Sequence, residues 1–195
     1  MEHLKNVVRA AVVALVTLGF AGRAVASDLS GRITVGGEPA GDDVVIWIDG
    51  PVPAERAPKH AVLVQSGIRF LPTFLVVSVG QTVEMPNDDN VAHNVYSMSP
   101  AKKFNLGVYG KGESRSVTFD KPGWVDLNCW LHKRMNAKIL VVPNPYFARA
   151  NNGTYHISGL PPGTYKIVAT RFGAPNAAKK AVVTSRGPVI IDFNL

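Results

Sequence analysis

The sequence predicts an all-β protein, and three observations carry that reading. Its Val and Ile runs are short and are cut at close intervals by Gly, Pro, Asn and Asp. No amphipathic pattern of helical period and ten or more residues follows the first 26 positions. One segment alternates cleanly: Val125, Leu127 and Cys129 fall on one face, Asp126 and Asn128 on the other. Sandwiches or a partly open barrel are the architectures that bury such strands.

Residues 1–26 read as a cleaved export signal. Lys5 and Arg9 give a positive start, Ala10 to Gly22 an apolar run, and Ala24-Val25-Ala26 a small-residue cleavage site. The apolar run falls short of the about 20 residues a membrane span needs, so no stable membrane insertion is expected. The mature chain then starts at Ser27 in the periplasm or outside the cell. Removing Lys5, Arg9, Arg23 and Glu2 takes the formal charge from +7 to +5. The remaining cations are scattered and no nucleic-acid motif accompanies them, which favours an acidic protein partner over nucleic acid.

In chain order, Gly31–Val35 and Val44–Ile48 are strands joined by the turn-forming run GGEPAGDD. Pro51 to Lys59 holds three prolines in eight residues and reads as a linker. Ala61–Phe70, Phe74–Val79 and Gln81–Met85 are strands, Gly80 turning the chain between the last two. Pro86 to Asn90 are five turn formers in a row, and His93–Ser97 resumes the strand pattern. Residues 98–115 read mainly as loop with a short strand at Phe104–Tyr109. Ser116–Phe119, the Val125 strand and Ala137–Val142 follow, the last two flanking the loop that starts at Asn128. Beyond Asn144 the strands are Thr154–Ile157, Tyr165–Thr170, Lys180–Thr184 and Val189–Phe193, with a tight turn at Leu160-Pro-Pro-Gly163. Asn152-Gly-Thr154 matches a glycosylation acceptor, but in such a loop it reads as a turn.

The loop NCWLHKRM carries the chemistry. Cys129 is the only cysteine, in a chain expected to meet an oxidising compartment where cysteines ordinarily pair. It is open to four readings: an inert buried thiol, an intermolecular disulfide, a reactive thiol or a metal ligand. His132 and Met135 follow at intervals of three, and His93, which opens a strand after a turn and shares a face with Val95, is the natural fourth partner. Two imidazoles, a thiolate and a weak axial thioether are the ligands of a blue-copper site. A Cys129/His93 catalytic pair lacks an orienting third group and an oxyanion motif. Zinc is poorly served by a thioether. His60 beside the linker and His156 in a distal strand read as surface or packing residues.

With these residues in view, Ala61 to Val142 resembles the cupredoxin family. GQTVEMPNDDNVAHNV is similar to its first-ligand region and GWVDLNCWLHKRM to its ligand loop, with the short Cys-x2-His-x2-Met spacing of the amicyanin-like branch. The resemblance implies a Greek-key sandwich, one type 1 copper per chain, His93, Cys129 and His132 as strong ligands, Met135 as the axial one, and a non-enzymatic electron carrier serving a redox protein. It also implies that Asn94 hydrogen-bonds across to the cysteine loop. A wider run, FLPTFLVVSVG to VTFDKPG, resembles exported methylamine-utilisation or plastocyanin-like proteins. Two positions depart from the family: Lys133 and Arg134 stand where proline or apolar residues are usual, and Leu127 where an aromatic is frequent. Lys102, Lys103, Lys133 and Arg134 are candidates for steering an acidic partner.

The flanks resemble the halves of a carboxypeptidase regulatory-like, transthyretin-type sandwich, SGRITVGGEPAGDDVVIWI its opening and the LPPGTY-bearing run its remainder. The expected division is therefore a signal at 1–26, first strands of a smaller transthyretin-like sandwich at 27–50, an inserted cupredoxin sandwich at 51–143, and the rest of the smaller sandwich at 144–195. The competing arrangement makes GRITV and VVIWI extra strands of the cupredoxin. Copper storage or delivery, and an envelope scaffold with a vestigial site, are the alternatives to electron transfer.

Overall fold

The computed structural model describes residues 26–52 and 60–195. The export signal up to residue 25, and residues 53–59 of the proline-rich stretch, lie outside the described residues. The described chain is all-β. It opens with β1 (Ser27–Val35), β2 (Glu38–Pro39) and β3 (Val44–Asp49). Then come β4 (Ala61–Val62), β5 (Val64–Gln65), β6 (Phe70–Leu71), β7 (Phe74–Ser78) and β8 (Thr82–Pro86). The middle continues with β9 (His93–Ser99), β10 (Lys102–Tyr109), β11 (Ser114–Thr118), β12 (Gly123–Asn128) and β13 (Asn136–Val142). The last elements are β14 (Phe147–Arg149), β15 (Thr154–Leu160), β16 (Gly163–Arg171), β17 (Ala177–Val183), β18 (Val189–Ile190) and β19 (Phe193–Asn194).

Two sandwiches result. In one, the sheet β10-β9-β12-β13-β7 faces β11-β8-β4, and their inner residues, among them Val77, Met85, Val95, Phe119, Leu127 and Ile139, form one apolar core. In the other, β15-β1-β18, with β2 and β19 also on β1, faces β14-β3-β16-β17. Its core holds Leu29, Ile33, Ile46, Ile48, Ile157, Ile167 and Phe193. The first strands of the chain thus pair with the last third: β1 runs antiparallel to β15, and β3 lies between β14 and β16.

The unbroken apolar runs VVIWI and KILVV have one cause. Ile46 and Ile48 of β3 face their own core, while Val45 and Trp47 face outward onto Val76, Leu140, Val142, Phe74, Trp124 and Phe147. Leu140 and Val142 do the same for β13, whose Ile139 and Val141 face the first core. A strand buried on both faces cannot alternate with polar residues. The chain crosses between the sandwiches at two adjacent places: Asn144, only 7% exposed, donates to the carbonyls of Ile48 at 2.8 Å and Gly50 at 3.1 Å.

Three expectations are corrected. Ala61–Phe70 is not one strand but β4, β5 and β6, because Gly67 (φ 64°) and Ile68 (φ 56°) fold the chain into a hairpin. Residues 98–115 are mostly strand, since β10 pairs along β9 from Lys102 to Tyr109 across a bulge. Val189–Phe193 is split into β18 and β19, which pair with successive stretches of the long β1. The Asn152-Gly153 turn is as expected, with φ of 47° and 72°.

Candidate metal centre

Strand direction brings the candidate ligands to one end of the first sandwich. β9 begins there with His93, β12 ends there just before Cys129, and β13 leaves from there at Asn136, opposite Asn128. The alternation that puts Val125 and Leu127 in the core carries on to Cys129, which is 3% exposed, and His93 is fully buried beside Val95. The loop between β12 and β13 is closed by its own backbone: Cys129 N–H donates to the Met135 carbonyl at 3.2 Å and Met135 N–H to the His132 carbonyl at 2.8 Å. Met135 is 1% exposed and packs in the same apolar cluster as Cys129.

His93, Cys129 and His132 each offer a ligand atom, all within 4.8 Å of one another. The two Nδ1 atoms are 3.1 Å apart and Cys129 Sγ is 3.9 Å from His132 Nδ1. Two imidazole nitrogens each about 2.0–2.1 Å from one ion can lie up to about 4.2 Å apart, and such a nitrogen and a thiolate sulfur up to about 4.4 Å. These two pairs fall inside the limits, which hold for a straight ligand–ion–ligand line; the widest separation, at up to 4.8 Å, has to contract by about 0.4 Å to reach its limit and further around a trigonal ion. With a buried thioether in the same loop, the donors suit a soft or borderline ion rather than magnesium or calcium. The thiol sulfur also accepts the backbone N–H of Asn94 at 3.5 Å.

No protein-family model and no curated protein matches the chain. Among solved structures it is similar to amicyanin in its Cu(I) form, at 25% identity over 50% of this chain and 98% of that one, with a TM-score of 0.41. It is similar to the Cu-containing nitrite reductase of Thermus scotoductus SA-01 at 27% identity over 48% of this chain and 25% of that one, TM-score 0.41. A purple cupredoxin from Nitrosopumilus maritimus is similar at 24% identity over 42% of this chain and 99% of that one, TM-score 0.38.

The surroundings of the cluster hold what spacing alone missed. Asp89 Oδ2 lies 2.8 Å from His93 Nε2, and the same carboxylate accepts the N–H groups of Gly67 at 2.7 Å and Ile68 at 2.9 Å. Burial works against its charge, but the N–H groups of Ile68 and Gly67 and the His93 ring outweigh that and hold the carboxyl below its ordinary range. The segment Pro86 to Asn90 reads from sequence as a chain break only; the signal available was an acid four residues before a candidate ligand. Asn87, fully buried, donates to the carbonyls of Val91 and Tyr109 and so fixes the same loop.

Asn94 hydrogen-bonds across to the cysteine loop, as the resemblance implies, but through its backbone N–H. Its side chain donates to Asn105 Oδ1 at 2.8 Å and to the Gly107 carbonyl at 3.1 Å, both on β10, and only its backbone reaches Cys129. Lys133 and Arg134 are exposed in the ligand loop beside half-exposed Trp130 and Leu131. Lys102 and Lys103 stand apart from them: they pair with Ser99 and Met98, whereas His93 pairs with Tyr109. Six residues of strand put about 20 Å between Ser99 and His93, and Lys102 is tied to Asp120 at 3.0 Å. His60 pairs with Glu84 and His156 with Asp28 on the surface, away from the cluster.

Proposed function

We propose that this is a type 1 copper protein of the cupredoxin kind, exported to the periplasm or beyond, which carries single electrons between redox proteins and catalyses no reaction of its own. One observation carries the reading: buried His93 and Cys129 converge with half-buried His132 at one end of the sandwich, with the thioether residue Met135 closing the same loop. Copper held by such a set would supply one-electron chemistry at a single site.

In this reading Cys129 would hold the copper through its thiolate, His93 and His132 through imidazole nitrogens, and Met135 would be the weak thioether ligand. Apolar packing around Met135 and Cys129 keeps water from the thiolate. His132 is the half-buried ligand, so its edge is where electrons enter and leave. Trp130 and Leu131 give that edge an apolar rim, and Lys133 and Arg134 give it positive charge. Both features fit an acidic redox partner. Lys102 and Lys103 are too far along the sheet to share the docking.

The copper sandwich, 51–143, is on this reading an insertion within a transthyretin-like sandwich of 27–50 and 144–195. Support comes from the pairing of β1 with β15 and of β3 with β14 and β16. The carboxypeptidase regulatory-like and methylamine-utilisation-type likenesses rest on sequence.

Titrating the purified mature protein with Cu(II) tests the reading. The expected result is one equivalent bound, an intense visible thiolate-to-copper band and reversible one-electron reduction. A protein that stays colourless and binds zinc more tightly sinks it. Stoichiometric copper binding without reversible cycling would instead favour storage or delivery.

A further inference from the structure

We propose that Asp89 is a positioning residue of the copper site: its carboxylate holds His93 in the Nε2–H tautomer, so that Nδ1 is the free ligand atom, and the hairpin tip Ser66–Arg69 holds the carboxylate. The inference rests on the copper reading for its consequence, but its geometry is independent of any metal.

A buried imidazole can carry its proton on either nitrogen, and only one tautomer presents a lone pair to a given side. His93 has no freedom left in this respect. Its Nε2 meets a carboxylate oxygen at 2.8 Å, and a carboxylate can only accept, so Nε2 bears the hydrogen. The opposite nitrogen, Nδ1, then faces His132 Nδ1 and the thiol. A carboxylate–histidine pair of this kind fixes the tautomer and the ring orientation.

The carboxylate is itself locked. Gly67 N–H binds Oδ1 and Ile68 N–H binds Oδ2, two successive amides converging on one anion in the manner of a backbone nest. That convergence needs both residues in the left-handed region, φ 64° and 56°. Ile68 is β-branched, for which that region is a genuine outlier. A two-residue turn closed by Ser66 N–H on the Arg69 carbonyl at 3.0 Å asks for positive φ at both central residues, and the bonds to Asp89 cap the turn so formed. From below, Asn87 Oδ1 accepts the Asp89 N–H at 2.9 Å. Asp89 therefore joins three pieces, the β5–β6 hairpin, the 87–91 loop and the ligand His93, through one side chain.

Nitrogen NMR of the metal-free wild type, with Asp89→Asn, Asp89→Ala and Ile68→Gly beside it, tests this. His93 should be the Nε2–H tautomer in the wild type and in Ile68→Gly, and a tautomer mixture in Asp89→Ala. Cu(II) affinity should fall roughly 10–100-fold in Asp89→Ala. In Asp89→Asn, which keeps an acceptor but loses the charge, the reduction potential should rise while the visible band persists. An Nδ1–H tautomer in the wild type overturns the proposal. So does an Asp89→Ala protein with unchanged tautomer and unchanged copper affinity. An Asp89→Asn potential equal to the wild-type value would leave Asp89 a loop tie only, and equally overturns it. A wild type that shows the Nε2–H tautomer but takes no copper would fail the copper reading alone.

Discussion

The two sandwiches are made of the same material and differ in what they bury. The outer one, β1–β3 with β14–β19, has a core of aliphatic and aromatic side chains, in which Tyr155 Oη donates to the Ile191 carbonyl and Tyr165 Oη to the Pro161 carbonyl. The one carrying the ligands buries Gln65, Asn87, His93 and Asn94 completely, all near one end. Both buried side-chain atoms without a hydrogen-bond partner among the described residues, Gln65 Oε1 and Asn94 Oδ1, belong to it. Its left-handed non-glycine residue, Ile68, sits at the site, whereas that of the outer sandwich, Asn152, sits in a plain turn where Asn is at home. Unsatisfied polar groups and backbone strain are expected where a fold is organised for chemistry rather than for stability alone.

The sharpest way to break the contrast is to remove the thiolate. Cys129→Ser should abolish the visible copper band entirely while leaving both apolar cores intact, which spectroscopy and thermal unfolding read together.

The seam between the sandwiches comes next. Leu140→Ala removes a buried contact among Val45, Val76 and Val142 and should cost about 2–5 kcal/mol, visible as a lower unfolding midpoint. If the sandwiches unfold separately, only then will two transitions appear.

A smaller effect compares a buried tyrosine from each core. Burial pushes Tyr109 up to about 12, against the hydrogen bond from Gln65 and the charge of Arg115, and burial likewise raises Tyr155. A folded value above the unfolded one means that the stabilisation is complete below about pH 10 and is lost as pH climbs towards 12. Tyr109→Phe should flatten that alkaline decline. It should also cost about 1 kcal/mol at neutral pH, through the lost bond to the Met85 carbonyl.

The least perturbing change is at the rim. Lys133→Glu with Arg134→Glu should leave stability within about 0.5 kcal/mol and the visible band unchanged. It should slow reduction by ferrocyanide at low salt and remove most of its ionic-strength dependence, as measured by stopped flow.

Much of this was legible in the chain. Strand alternation placed Cys129 inward because its neighbours Val125 and Leu127 alternate with Asp126 and Asn128. The turn formers before His93 correctly marked the end of the sandwich. Pairing was harder: VVIWI looks the same whether it belongs to one sandwich or the other, and only the tertiary seam explains why Val45 and Trp47 are apolar too. β10 is longer than its sequence pattern suggests because its outward face is Lys, Asn and Gly with isolated apolar residues, so the pairing with β9 and not the periodicity makes it a strand. Asp89 was hidden for a different reason. Its spacing of four from His93 is visible in the chain, but Gly67 and Ile68 come from the distant β5–β6 hairpin, and no local pattern encodes that meeting.

Asn144 holds the outgoing and returning chains side by side at Ile48 and Gly50. In terms of heredity, that clasp sets the two ends of the intervening stretch side by side. A gene lacking the codons for 51–143 would need only a short turn to rejoin Gly50 to Asn144, and the nine strands of the outer sandwich would keep their partners. The excised piece would have its two ends close together, as a transplantable unit requires. Gain or loss of the ligand-bearing sandwich is thus reachable by a single exchange at one neck.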